Sequence, residues 1–412
     1  MTQYTLIWSF ISMNGLAKAT EVGKEKNQSI LIAFIIPLIA LTVVTQLYIL
    51  LPVVNVLNQI LKTNSGQTSL LTTFFGIFYA IGFLLWGVMS DKYGREKIIV
   101  IGLTGLGVIT AIIPFINNYQ ALLVIRSMQG LIASSYPPVI LAWIAENYND
   151  KYKKLLISFL SCCFLLSGTL GQLYGAVMIK NSLVHGMISL AVVYILGGMI
   201  FALRKGKSKT RDGNVVKFST LTYNLFISLK DKNLSRIYLS SFFVLMSFVS
   251  IYYSLISGKL NNNFNNFNTD LMRDVATLGM LTCLISGRLF KYIHPLKILS
   301  FALFFMAISL MLQYLFIING NKNYMIPFLI IHYIFSAMIS LAIPSMITCT
   351  TLFSNPSNRG GAISLYTCIL FIGASLGSYL PGIISSIWFF CLLSIMLAVS
   401  ALRVIFIDHS FS

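Results

Sequence analysis

"GVMSDKYGREK", residues 87–97, places five charged side chains in eleven positions of a chain that is only 10% charged. Apolar runs flank it on both sides, Leu70–Trp86 before and Ile98–Ile116 after. A short charged turn between two long apolar runs is the pattern of two membrane helices meeting at a water-facing surface. Working outward, runs of about 20 apolar residues recur along the whole chain, the length that crosses a hydrocarbon core of about 30 Å. The 412 residues are 57% hydrophobic with a mean hydropathy of +0.83, and charge is far below the roughly 25% usual in soluble domains. The pattern predicts an all-α membrane protein with twelve transmembrane helices. Their positions are near 30–54, 69–89, 98–116, 119–145, 155–178, 186–203, 237–257, 271–290, 298–318, 325–349, 361–383 and 387–406. The segments are long and continuously apolar, which excludes the short alternating strands of a membrane barrel.

A net charge of +18 raises the question of nucleic acid, and the distribution of charge decides against it. All but six of the 29 Lys/Arg lie in the N-terminal tail, in the loops after every second span and at the C-terminus. The exceptions are Lys62, Lys180, Lys259, Arg273 and Lys322 in the opposite loops, and Arg126 within a span. This is the positive-inside bias, and it predicts cytoplasmic termini in a bacterial-type inner membrane. The expected partners are the lipid bilayer and a small-molecule substrate, with no nucleic acid and a monomeric chain. The six cysteines fall in or beside spans and show no metal-ligand spacing, so no metal is expected. Residues 4–13, "YTLIWSFISM", are too short to span and lack a cleavage site; an interfacial helix fits them better than a signal peptide.

The longest polar interval, 204–236, holds nine Lys/Arg against Asp212 and Asp231 and divides six helices from six. The expected organisation is a cytoplasmic tail at 1–28, a six-helix bundle at 29–203, a basic cytoplasmic loop at 204–236, and a second bundle with a short tail at 237–412. Within the loop, Leu221–Leu229 is read as a helix on the membrane surface. Residues support the duplication. "GRLFKYIHPLK", 287–297, stands between the second and third spans of its half, as 87–97 does. An offset of 206 residues pairs Arg126 with His332, Pro138 with Pro344, Ser167 with Gly373 and Gly171 with Gly377.

The turn at 87–97 resembles the signature loop of the major facilitator superfamily, G-x-x-x-D-[RK]-x-G-[RK]-x-[RK]. It is matched by Gly87, Asp91, Lys92, Gly94, Arg95 and Lys97. Gly87 suits a close helix contact, Gly94 a tight turn, and Asp91 a position facing a helix N-terminus. The resemblance implies two pseudo-symmetric six-helix bundles. It also implies that the loop locks the cytoplasmic face, with Asp91 docking near the start of the eleventh span and Arg95 pairing with Glu146. In the fourth span, "RSMQG" (126–130) is similar to the R-x-x-Q-G motif of the twelve-helix drug:proton antiporter branch, on Arg126, Gln129 and Gly130. Arg126 lies seven residues into its span, about 10 Å deep, where a cation must be paired, hydrated or snorkelled outward. The fifth span, "SGTLGQLYG" (167–175), departs from that branch, with Ser167 for the first Gly and Gln172 for the Pro. Ser167, Gly171, Gly175, Gly373 and Gly377 read equally well as small residues for helix packing. In the second half the loop is degraded, with Lys291 and His294 where Asp91 and Gly94 stand.

None of the eleven acids lies in the middle of a span. A pathway containing Arg126 and His332 without a buried acid is expected to be neutral to positive and to suit an anionic or polar neutral cargo. His332 carries two readings, hydrogen-bonded structure or a substrate and proton site. The expected lining is Gln46, Tyr48, Tyr79, Arg126, Gln129, Gln172, Tyr252, Tyr253, His332 and Tyr366. The expected function is alternating-access export of a small polar or anionic metabolite, siderophore-like, or of a drug. The proton motive force would be its energy source and no cofactor is expected. Import by the same fold is the alternative. An enzyme would need a nucleophile, base or metal cluster near a membrane face, and the four scattered histidines supply none; a non-transporting sensor is the remaining rival.

Overall fold

The computed structural model describes residues 30–148, 150–179, 182–203, 225, 227–257, 269–319, 325–355 and 359–407. The tail at 1–28, the helix expected at 4–13 and most of the loop at 204–236 lie outside them, although residues 227–230 are helical. The described residues form helices and connecting turns, with no strand among them. Among the described residues ten helices are long and apolar enough to cross a membrane.

The first span is broken into α1 (Ile30–Thr45), a 3-10 turn at Leu51–Val53 and α2 (Val54–Leu61). Pro52 has no N–H to continue the ladder, and the bonds around it contract to three-residue spacing, as in Leu51 N to Tyr48 O and Val53 N to Leu50 O. The second span, α3 (Ser65–Tyr93), opens with a capping box in which Asn64 and Gln67 satisfy each other's backbone donors. The third is α4 (Arg95–Ile112). The fourth, expected as one run, is α5 (Tyr119–Ala133) and α6 (Tyr136–Asn147), interrupted just before Pro137 and Pro138. The fifth and sixth are α7 (Asp150–Tyr174) and α8 (Leu183–Ala202).

In the second half the seventh span is α9 (Lys232–Ile256), capped by Asp231, whose carboxylate accepts from Asn233 and Leu234 N–H. The eighth is broken into α10 (Thr269–Met280) and α11 (Cys283–Leu289). Thr282 pins the break by reaching Ala337 O at 3.2 Å and the Ser340 hydroxyl. The ninth to twelfth are α12 (Pro295–Asn319), α13 (Met325–Phe353), α14 (Arg359–Gly377) and α15 (Ser386–Ile405). Pro344 lies inside α13, which continues through it.

In lipid the hydrophobic effect does not drive helices together, so close packing of small residues must. In the first half α3 packs on α5, α1 on α7 and α4 on α8; in the second, α9 packs on α14, α10 on α13 and α12 on α13 and α15. The tightest approaches are at glycine. A Cβ on Gly130 would overlap the Phe75 carbonyl oxygen, and one on Gly175 would overlap that of Ile49. On α14, a Cβ at Gly373 would overlap the Phe242 carbonyl oxygen, and one at Gly377 would lie 2.7 Å from that of Met246. Gly171 leaves 3.1 Å to the Thr45 backbone, and Ser167, fully buried, folds its hydroxyl onto Phe164 O at 2.6 Å.

The halves meet through α3 against α14 and α7 against α10, two pairs that exchange under the approximate twofold. The hydrogen bonds between them gather at the end opposite the 87–97 turn. Asn55 Nδ2 donates to Ile256 O at 2.9 Å, and Tyr253 OH to Ser65 O at 3.1 Å. Thr73 meets Ser375 O at 3.2 Å and the Ser378 hydroxyl at 2.9 Å. At the other end, Gly87, Gly287 and Gly360 each have open space where a Cβ would stand. The close contact expected at Gly87 is therefore not made in this conformation, because α14 and α3 converge toward the far end.

These contacts separate two glycine substitutions. Gly373→Ala must push back the backbone of α9 and should cost about 1–3 kcal/mol. Gly87→Ala meets nothing and gains helix propensity of up to about 1 kcal/mol. Thermal unfolding of the purified variants checks this, with Gly373→Ala melting below wild type and Gly87→Ala at or above it.

Candidate functional site

Arg126 sits one to two turns into α5 and is fully buried, 0% exposed. Its Nη2 donates to the Gln46 carbonyl at 3.0 Å and its Nη1 to Gln129 Oε1, while the guanidinium carbon lies 4.3 Å from the Phe75 ring centroid. Gln46 stands just past the end of α1, where the ladder loosens before Pro52 and leaves a carbonyl for the arginine. Gln129 in turn donates to Thr110 Oγ1 at 2.8 Å and to Gln46 Oε1 at 3.3 Å, and Gln46 Nε2 donates to Tyr194 OH at 3.1 Å. The cluster thus draws on the first, third, fourth and sixth spans. Among the described residues no carboxylate pairs with Arg126, and its Nε has no partner. Gly130, expected in the pathway, instead lets Phe75 approach closely enough to face the guanidinium.

The second half repeats this arrangement with other chemistry. His332 on α13 is fully buried, with Nε2 2.9 Å from Tyr252 OH and Nδ1 2.7 Å from Gln313 Oε1. Gln313 Nε2 donates to Ser309 O at 3.2 Å, which turns its amide oxygen to the histidine. An acceptor oxygen at Nδ1 requires the proton there, so a neutral ring receives the tyrosine proton at Nε2. Tyr252 and His332 are thus joined by a hydrogen bond within their own half. Tyr253 likewise ties the far end to Ser65. The 206-residue offset that pairs Arg126 with His332 also pairs Gln46 with Tyr252.

Between the halves lies an aromatic layer. Phe75 stacks on Tyr79 with centroids 5.7 Å apart, and Tyr79 meets Phe371 of α14 edge-on at 4.9 Å. Phe83 lies parallel to Phe371 at 5.5 Å, and Tyr48 meets Phe248 at 6.3 Å. Tyr79 is 0% exposed and its hydroxyl has no partner; Gln172 Oε1 is likewise buried and unpartnered. Tyr366, also expected in the lining, directs its hydroxyl to Ile343 O at 3.4 Å. The sequence reading placed Arg273 in an outer loop. The structure places it inside α10, 2% exposed and paired with Asp270, with Nε unpartnered. The signal was present in Asp270 one turn before Arg273, an i,i+3 pair that lets a helix begin among charges.

A family model described as Major Facilitator Superfamily matches residues 36–378. The chain belongs to the Major Facilitator Superfamily. It is 23% identical to the MFS-type transporter MJ1560 of Methanocaldococcus jannaschii over 389 residues, 89% of this chain and 93% of that protein. It is 25% identical to the transporter C36.02c of Schizosaccharomyces pombe over 181 residues, 41% of this chain, spanning less than a third (30%) of that protein. The structure of the human organic anion transporter MFSD10 (TETRAN) has a similar fold, with TM-score 0.65 at 16% identity, covering 90% of this chain and 98% of that one. The chain is a multi-pass membrane transporter of this superfamily.

The superfamily's signature turn shrinks here to a single residue. Asp91 and Lys92 belong to the last turn of α3, Arg95 and Lys97 to the first turn of α4, and Gly94 alone joins the helices at φ 95. That left-handed backbone strains any residue with a Cβ. Arg95 gathers the charges: it pairs with Asp91, donates to Ser90 Oγ at 2.5 Å, and reaches Glu146 of α6 at 3.2 Å. Among the described residues the ion-pair partner of Asp91 is Arg95, not the start of α14, which stands clear at Gly360. The docking expected of Asp91 is therefore absent from this conformation. In the second-half copy, His294 Nδ1 accepts from Leu296 N at 3.3 Å and the turn runs from 290 to 294.

Replacing His332 tests the second cluster. His332→Leu leaves Tyr252 OH and Gln313 Oε1 buried without their partner, at about 1–3 kcal/mol for each. The variant should melt well below wild type, and an unchanged melting temperature would show that the ring does not hold those groups.

Proposed function

We propose that this transporter works by alternating access and that its cargo is a small organic anion. The supporting observation is Arg126: a fully buried guanidinium with, among the described residues, no carboxylate partner and an unused Nε–H. Burying an unpaired charge among membrane helices costs several kcal/mol, and an anionic cargo is the group that offsets it. The fold shared with an organic anion transporter supports the same reading. Export is favoured by R-x-x-Q-G at Arg126, Gln129 and Gly130. The altered fifth-span motif, with Ser167 and Gln172, weakens that match and keeps import by the same fold as the alternative.

With the loop end in the cytoplasm of a bacterial-type inner membrane, as the Lys/Arg distribution favours, the conformation described is the inward-facing one. The Asp91–Arg95–Glu146 cluster then waits on the side that must close, and Gly87 and Gly360 mark where α3 and α14 approach when it does. A proton antiport would be carried without a mid-span carboxylate, because the described acids Asp91, Glu96, Glu146, Asp150, Asp231, Asp270 and Asp274 stand at or within about two turns of the ends of their spans.

Proteoliposomes preloaded with unlabelled organic anions should exchange labelled anions across the membrane, and lipophilic cations should not exchange. Arg126→Ala should abolish exchange, with Arg126→Lys, which keeps the charge, controlling for folding. Full exchange by Arg126→Ala, or preferred exchange of cations, would overturn the proposal. The rocking motion has its own test in two native thiols. Cys162 on α7 and Cys283 on α11 stand on helices that touch across the interface. Oxidation by copper phenanthroline should bridge them and stop exchange, reductant should restore it, and Cys162→Ser should be insensitive. Unimpaired exchange by the bridged protein would exclude relative motion at this contact.

A further inference from the structure

The aromatic layer narrows the class of anion, an inference that rests on the reading of Arg126 as the cargo's anchor. Arg126 and Tyr79 pack on one ring, Phe75, the guanidinium carbon 4.3 Å from its centroid and the tyrosine ring stacked at 5.7 Å. Both are fully buried, and each keeps one polar group that nothing satisfies, Nε–H on the arginine and the hydroxyl on the tyrosine. Native interiors leave few such groups without a partner, because each costs its full desolvation. Two unsatisfied donors, on side chains that share Phe75 as a neighbour, describe a place for an acceptor.

The rest of the surroundings is apolar and flat. Phe83 lies 5.1 Å from Tyr79, and Phe371, from the opposite half, lies 4.9 Å from Tyr79 and 5.5 Å from Phe83. Ring faces and edges at these separations prefer another ring. The charge count points to one negative charge, since among the described residues Arg126 is the buried cation without a carboxylate, while Arg273, also buried, is paired with Asp270. We infer that Tyr79 and Arg126 together seat the anionic head of an aromatic monoanion, with Phe75, Phe83 and Phe371 enclosing its ring. Tyr79 is thereby a specificity residue of the transport site. Because Phe371 belongs to the other half, its contact with the Tyr79 ring opens when the halves part, which ties the seat to the transport motion.

Tyr79→Phe gives a direct test, because it deletes an atom that has no partner in the folded protein. Its melting temperature should equal or exceed that of wild type. Binding of radiolabelled benzoate to the purified protein should weaken about tenfold, the loss expected of a hydrogen bond to a charged group. Benzamide, the neutral analogue, and succinate, a dianion without a ring, should compete poorly. Unchanged benzoate binding by Tyr79→Phe, benzamide competing as well as benzoate, or succinate competing better would each overturn the inference. Failure of benzoate to bind, alongside Arg126-dependent exchange of other anions, would sink the aromatic monoanion and leave the anion transporter standing. Absence of any anion exchange would remove the underlying reading itself.

Discussion

A guanidinium surrounded by membrane helices has to be given acceptors by the protein, and much of the first half is arranged around that requirement at Arg126. The first span stops being a regular helix at Thr45, which releases the Gln46 carbonyl toward the arginine. The fourth span carries Gly130 four residues on, and without that glycine the backbone of α3 could not come close enough to lay Phe75 over the charge. Gln129, Thr110, Gln46 and Tyr194 extend the same hydrogen bonding into the third and sixth spans. A helix break, a glycine contact and a cation–π pair are thus three parts of one solvation shell built from protein.

The second half uses the same scaffold without the charge. A neutral imidazole takes the place of the guanidinium and is satisfied on both nitrogens by Tyr252 and Gln313. The two clusters occupy equivalent spans, yet one is complete and the other retains an unused donor. The repeated positions thus hold a satisfied imidazole in one half and a guanidinium with a free donor in the other. The asymmetry continues at the turns. The first half joins its second and third spans through Gly94 alone, with Arg95 binding Asp91 and Glu146, whereas the second half uses a longer turn and no glycine.

The spans, the membrane setting and the superfamily could be read directly from residues, because apolar length and the spacing of Gly87, Asp91 and Gly94 are local properties of the sequence. Arg126 could be singled out for the same reason, as a cation inside an apolar run. What escaped was whatever depends on partners distant in sequence. His332 stands out in sequence as an ionisable side chain in an apolar run, but Tyr252 and Gln313, which occupy its two nitrogens, come from other helices. Arg273 reads as a loop residue, and only packing buries it. Gly87 has its expected spacing, but the conformation decides whether anything stands opposite it. Pro52, Pro137 and Pro138 were visible in sequence, and the breaks they impose on the first and fourth spans follow from their missing N–H groups.

The order of Arg126 and its partners along the chain bears on how the protein is made. Synthesis proceeds from the N-terminus, so Gln46 and Phe75 reach the bilayer before the arginine, and Gln129 follows within a single turn. The same holds for His332, since Tyr252 and Gln313 both precede it. Each costly polar residue is thus delivered to a membrane that already contains its acceptors. A permuted chain with the fourth span ahead of the first would have the same final contacts and would insert its arginine with only Gln129 to receive it.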